Sequence, residues 1–237
     1  MDNSSISGSI KESLQYYENP ASEYFDPNMN YYICSYGGSG SSILYKYLSN
    51  FGRAYHIHSR YPPFKLKYTG SLFSSNPVRN EWFNDVDIPE DQLKKYKVIF
   101  IYRNPIHSIY SSFINTEFER FIGTCREHII NIQASYTGEI HLLDVVKNER
   151  DLYGIENFYD NYTRNNITRN YNIICVKYED FFEKIGELNK VLEIPDSKIL
   201  YPVKKENTRP QYYYSTLLKI YYPLLKKMEK MNSIEVI

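Results

Sequence analysis

Apolar and polar positions follow two rhythms along this chain, and each switch between them marks an element. Tyr31-Tyr32-Ile33-Cys34 is a short run of aromatic and β-branched residues, which predicts a strand. Gly37, Gly38 and Gly40 break the run. Leu44, Tyr47, Leu48 and Phe51 then recur at helical spacing, giving a helix with one buried face. Gly52 stands where a left-handed C-terminal cap belongs. The unit returns without glycines. Val98-Ile99-Phe100-Ile101-Tyr102 is continuously apolar, as expected of a parallel strand covered on both faces. Asn104 suits the cap of the next helix, Pro105 its first turn, and Ile106, Ile109, Tyr110 and Phe113 its buried stripe.

A third apolar run, Ile173-Ile174-Cys175-Val176, leads into Tyr178-Glu179-Asp180 and a helix to about residue 190. Ala54–Ile57 reads as a further strand, and Leu217–Met228 as a helix that Pro223 kinks or splits. Strands alternating with helices predict an α/β fold in three layers, a central parallel β-sheet flanked by helices. Ligands of such sheets bind at the carboxyl ends of the strands, where the glycine loop and Arg103 both fall.

The organisation expected is a polar N-terminal arm, residues 1–30, and one domain over 31–237. The arm carries one Lys against Asp2, Glu12, Glu18, Glu23 and Asp26. Residues 59–96, with Pro62, Pro63, Pro77, Pro89 and the single Trp82, read as a long excursion able to wall a pocket. Residues 204–230 are basic, with Lys204 and Lys205 at their start.

A formal net charge of zero gives no global field to hold nucleic acid, so a charged partner must be bound locally. The 26 tyrosines, beside abundant Asn, Ile and Lys, read first as coding bias and only second as a ring-lined surface. Cys34, Cys125 and Cys175 lie far apart with no metal or redox spacing, so a reducing compartment is expected. No leader pattern opens the sequence, and no apolar run approaches the roughly 20 residues that cross a bilayer. These features together predict a cytoplasmic protein with no membrane partner; oligomeric state is not legible.

Ser35-Tyr36-Gly37-Gly38-Ser39-Gly40-Ser41-Ser42 joins a strand to a helix. Glycines let a backbone approach a phosphate closely, and a helix N-terminus adds unpaired donors and partial positive charge. Ser39, Ser41 and Ser42 add hydroxyls. The plainer reading is a turn of small residues. A nucleoside-triphosphate hydrolase or kinase would carry Lys after the last glycine; here Ser41 follows Gly40, which argues against phosphoryl transfer.

At this point the sequence resembles the sulfotransferase family, in three segments that come in the family's order. Ser35–Ile43 is similar to the loop that holds the 5′-phosphosulfate of 3′-phosphoadenosine 5′-phosphosulfate (PAPS). Ile101-Tyr102-Arg103-Asn104-Pro105, with Ser111 beyond, is similar to the segment whose Arg and Ser grip the donor's 3′-phosphate. Val176-Lys177-Tyr178-Glu179-Asp180 is similar to a later strand ending in Tyr-Glu-Asp.

The resemblance implies a P-loop-NTPase-like sulfotransferase fold, a sulfuryl group moved from PAPS to a hydroxyl-bearing acceptor, and no metal. It also implies donor contacts from Gly37, Gly38, Ser39, Gly40, Ser41, Ser42, Arg103, Ser111 and Tyr178, with Lys204 and Lys205 near the donor phosphate. The family's loop Lys aligns with Gly38; either backbone N–H groups suffice in its place, or Lys46, Arg60 or the Lys204/Lys205 cluster substitutes. The C-terminal segment of the small-molecule branch is missing, which leans the acceptor toward a carbohydrate.

Transfer to an alcohol needs a base for the hydroxyl proton. His56-Ile57-His58-Ser59-Arg60 follows the predicted second strand, and the expectation is His58 as base with Arg60 on the transferring sulfate or an acceptor anion. Glu81 and Asp85 are the other candidates, and His56 reads as filling a strand end. His-x-His has no third partner spaced for zinc. Two other classes remain open: a nucleotide-binding module without turnover, and a kinase-like phosphoryl transferase.

Overall fold

A computed structural model of the chain describes residues 24–57, 59–68, 86–111, 140–195 and 213–237. The first strand, β1 (Asn30–Cys34), is buried along its whole length. The glycine loop leads from it into α1 (Ser41–Leu48), and β2 (Arg53–Ile57) follows. A 3₁₀ turn (Glu90–Lys95) then feeds β3 (Tyr96–Tyr102) and the short α2 (Pro105–Ile109). Next come α3 (Leu142–Asn148), α4 (Ile155–Thr163) and β4 (Ile173–Lys177). The chain finishes with α5 (Tyr178–Phe181), α6 (Ile185–Leu192), α7 (Tyr214–Glu229) and β5 (Ile234–Val236).

The strands form one sheet in the order β2-β1-β3-β4-β5. Three of its pairings are parallel, with Cys34 beside Ile57 and Phe100, and Tyr102 beside Lys177. The fourth is not. β5 runs antiparallel to β4, so the all-parallel sheet expected from the sequence is corrected to a mixed one. Three residues at the end of the chain carry no period of their own, and their pairing is set wholly by contacts with a distant strand.

Successive strand residues point to opposite faces, and here both faces are covered. Tyr32, Cys34, Phe100 and Tyr102 pack with residues of α2, α4 and α7 on one side. Tyr31, Ile33, Ile99 and Ile101 pack with residues of α1 and α6 on the other. The result is an α/β fold in three layers. Much of the tyrosine content serves this core: Tyr32, Tyr153, Tyr162 and Tyr221 are among its largest fully buried side chains. Two of these buried hydroxyls have oxygen acceptors. Tyr162 donates to the Ser59 carbonyl at 2.8 Å and Tyr221 to Asp151 at 2.7 Å.

Three local expectations change. Gly52 is not a left-handed cap; it has no positive φ, and a Cβ there would lie 2.6 Å from the Met29 carbonyl oxygen. Close approach of the arm, not helix termination, requires glycine at that position. α7 runs through Pro223 without splitting. Pro223 is exposed, so water can take up the carbonyl it frees, while Leu217, Tyr221, Leu224 and Met228 bury both halves of the helix. The single helix expected after Tyr178 is two, α5 and α6.

The end of the arm is docked. Asp26 donates its N–H to Phe51, and Arg53 donates to Met29. The excursion after β2 is also anchored: Lys67 bridges Asp87 in an antiparallel pairing, and Leu66 and Ile88 are buried in the core.

Candidate functional site

The helix after β1 lies on one face of the sheet and the helices between β3 and β4 lie on the other. The chain therefore leaves β1 and β3 in opposite directions, and a crevice opens between their carboxyl ends. This is the topological switch point at which open α/β sheets bind ligands.

The glycine loop fills one lip of that crevice. Gly37, Gly38 and Gly40 have φ of 110°, 63° and 88°, a left-handed region that other residues enter only with strain. Gly40 caps α1 through its backbone alone, and Ile43 and Leu44 donate to its carbonyl. A Cβ on Gly40 would overlap the Tyr178 ring. The loop thus depends on glycine twice, for its conformation and for contact with a residue from the end of β4.

Arg103 forms the other lip. Its guanidinium lies 4.6 Å from the centre of the Tyr178 ring, and one of its Nη atoms donates to the Gly38 carbonyl at 3.3 Å. The turn behind it is fixed by Asn104, whose side chain accepts from the Ile106 N–H at 2.9 Å and caps α2. The Asn104 N–H in turn donates to a Glu179 carboxylate oxygen at 2.9 Å. His107 Nδ1 stands 3.9 Å from the same oxygen. Burial works to raise the Glu179 carboxyl, but His107, the Asn104 N–H and Arg103 outweigh it and hold the group below the ordinary glutamate range.

The loop serines differ from one another. Ser39 is buried; its hydroxyl donates to the Gly37 carbonyl at 3.1 Å and lies 3.3 Å from the Ser108 hydroxyl. Ser41 is buried at the start of α1 and Ser42 is exposed. Ser111, expected to pair with Arg103 on a phosphate, is half-buried on the turn beyond α2. Ser108 is the α2 residue that meets the loop, and sequence reading missed it. No sequence signal marks it: α2 is covered on nearly every side, and which residue of it meets the loop is set by how the helix docks. Behind this pair, Ser39, Ser108, Tyr102 and Arg103 line a recess of about 10 Å³, room for one water at most.

Arg60 is placed elsewhere. Its guanidinium donates to Asn157 of α4 at 3.3 Å and lies over its neighbour Tyr61. Its carbonyl accepts from Asn161 at 3.1 Å. These contacts tether the excursion to α4. Lys46 is exposed in the last turn of α1, more than a turn from Gly40. His56 packs on Tyr45 at 4.7 Å between ring centres. His58, Glu81, Trp82, Asp85, Lys204 and Lys205 lie outside the described residues.

Among the described residues no group of three or more His, Cys, Asp or Glu is placed to hold a metal ion, and no helix is long and apolar enough to cross a membrane. No protein-family model, curated protein or solved structure matches the chain.

Proposed function

We propose that this chain is a sulfotransferase that binds PAPS in the β1/β3 crevice and passes its sulfuryl group to a hydroxyl acceptor. One observation carries the reading. Three segments far apart in sequence, the glycine loop, Arg103 and Tyr178, meet around a single ring at the carboxyl ends of three adjacent strands.

The residues present suit such a donor. The left-handed backbone of Gly37, Gly38 and Gly40 exposes N–H groups without side chains in the way, as a 5′-phosphosulfate requires. Arg103 offers a planar fork for the 3′-phosphate, taken in exchange for its long contact with the Gly38 carbonyl; Ser111 is its expected companion. Tyr178 offers a ring for the nucleotide. When bound, PAPS supplies the activated sulfuryl group. The chain's tasks are to hold the donor, keep water from it, and take the acceptor's hydroxyl proton, the role assigned to His58.

A second reading, nucleotide binding without turnover, is favoured by two observations. Gly38 stands where the resemblance puts Lys, and Arg60 is held on α4.

The test is calorimetric titration with 3′-phosphoadenosine 5′-phosphate, the product nucleotide, against adenosine 5′-phosphate. Charge-assisted hydrogen bonds contribute about 1.5–3 kcal/mol, so the 3′-phosphate should tighten binding by roughly 10- to 100-fold. Equal affinities would remove the basis of the proposal. Sulfate transfer from PAPS to a panel of carbohydrate and other hydroxyl acceptors then separates enzyme from binding module.

A further inference from the structure

We propose that Glu179 is the positioning residue for Arg103, fixing the direction of its guanidinium through the backbone. This rests on the reading of Arg103 as the phosphate-binding residue.

The argument begins with a peptide bond. Arg103 ends β3, and two residues later the chain is already in α2. The N–H of Asn104 belongs to the planar unit that joins Arg103 to Asn104, and it is this N–H that Glu179 accepts at 2.9 Å. The carboxylate therefore sets the plane into which the Arg103 backbone runs. On its far side the turn is pinned by the Asn104 cap on Ile106. Arg103 is thus held at both ends by consecutive residues of the chain leaving β4: Tyr178 lies under its guanidinium, and Glu179 grips its backbone.

The cost visible at Glu179 points the same way. Its second carboxylate oxygen is buried and has no hydrogen-bond partner. Burying one carboxylate oxygen without a partner is unfavourable, so the contacts of the other oxygen must offset that cost. Reach and charge are separable here. Gln can still accept the Asn104 N–H without a charge, whereas Asp keeps the charge and is one methylene too short.

Three variants, Glu179→Ala, Glu179→Asp and Glu179→Gln, are compared by two readouts. The first is the affinity ratio of 3′-phosphoadenosine 5′-phosphate to adenosine 5′-phosphate. The second is the Arg103 Nε–H resonance in the ligand-free protein. The Ala and Asp variants are expected to lose the preference by about tenfold or more and to shift the Arg103 resonance toward that of a free arginine, while Gln retains both. A role confined to stabilising the fold would lower the melting temperature and leave both readouts unchanged, and that result overturns the proposal. If the wild-type protein itself shows no 3′-phosphate preference, the sulfotransferase reading has failed, and the resonance alone decides the role of Glu179.

Discussion

The Arg103 guanidinium carbon lies 4.6 Å from the centre of the Tyr178 ring, and the Cδ2–Cε2 edge of that ring abuts Gly40. One aromatic side chain therefore registers the two lips of the crevice against each other. A cation over a ring is worth roughly 0.5–2 kcal/mol, or about 2- to 30-fold in affinity if the arginine must be held for ligand. Tyr178→Ala is expected to weaken binding of 3′-phosphoadenosine 5′-phosphate within that range. Tyr178→Phe, which keeps the ring, should leave it nearly unchanged. Titration of the two variants side by side checks the point.

Gly40→Ala should damage the site locally. Its φ of 88° is a strained conformation for alanine, about 1–3 kcal/mol, and the added methyl meets the Tyr178 ring. The expected outcome is loss of nucleotide binding together with a lowered midpoint in urea.

Gly52→Ala is the contrasting case. The obstacle there is the Met29 carbonyl oxygen, 2.6 Å from where the Cβ would lie, on the docked arm away from the crevice. This variant is expected to lose stability and, where folded, to keep the wild-type preference for the 3′-phosphate. A changed preference would mean that the arm and the crevice are coupled.

Much of this arrangement is legible in the sequence, and what is not has identifiable causes. β1, β3 and β4 announce themselves because strands buried on both faces need uninterrupted apolar runs. α1 does so because a helix buried on one face needs the 3.6-residue period. The meeting of the glycine loop, Arg103 and Tyr178 follows from their common position at strand ends. β5 does not announce itself, since three residues cannot show a period. The inward turn of Ser39 and its contact with Ser108 are tertiary facts, fixed by how α2 docks beneath the loop. That Arg60 meets Asn157, 97 residues later, is likewise a tertiary fact that its place after a strand end cannot show.

Acid should loosen the crevice through Glu179. Its carboxyl is held below the ordinary range in the folded protein, so the stabilisation it provides is present above the unfolded glutamate value of about 4.3 and is lost as pH falls through the lower folded value. Asp151 acts with the opposite sign. Burial, dominant over its hydrogen bonds to Glu156 and Tyr221, raises its carboxyl, so its contribution favours the fold below the unfolded aspartate value of about 3.9 and fades as pH rises through the folded one. Urea unfolding of wild type and Glu179→Gln between pH 7 and pH 3 should show a stability difference at neutral pH that shrinks toward acid. A difference independent of pH would contradict the assignment.

The central claim is tested most directly by thermal stabilisation with 3′-phosphoadenosine 5′-phosphate against ATP with magnesium, repeated on Arg103→Ala. A ligand at 100 times its Kd adds about 2.7 kcal/mol, which for a chain of this length is a rise of roughly 5–10 °C. The account expects that rise with the 3′-phosphorylated nucleotide alone, and its loss in the variant. No rise, or a rise with ATP only, would contradict the sulfotransferase reading.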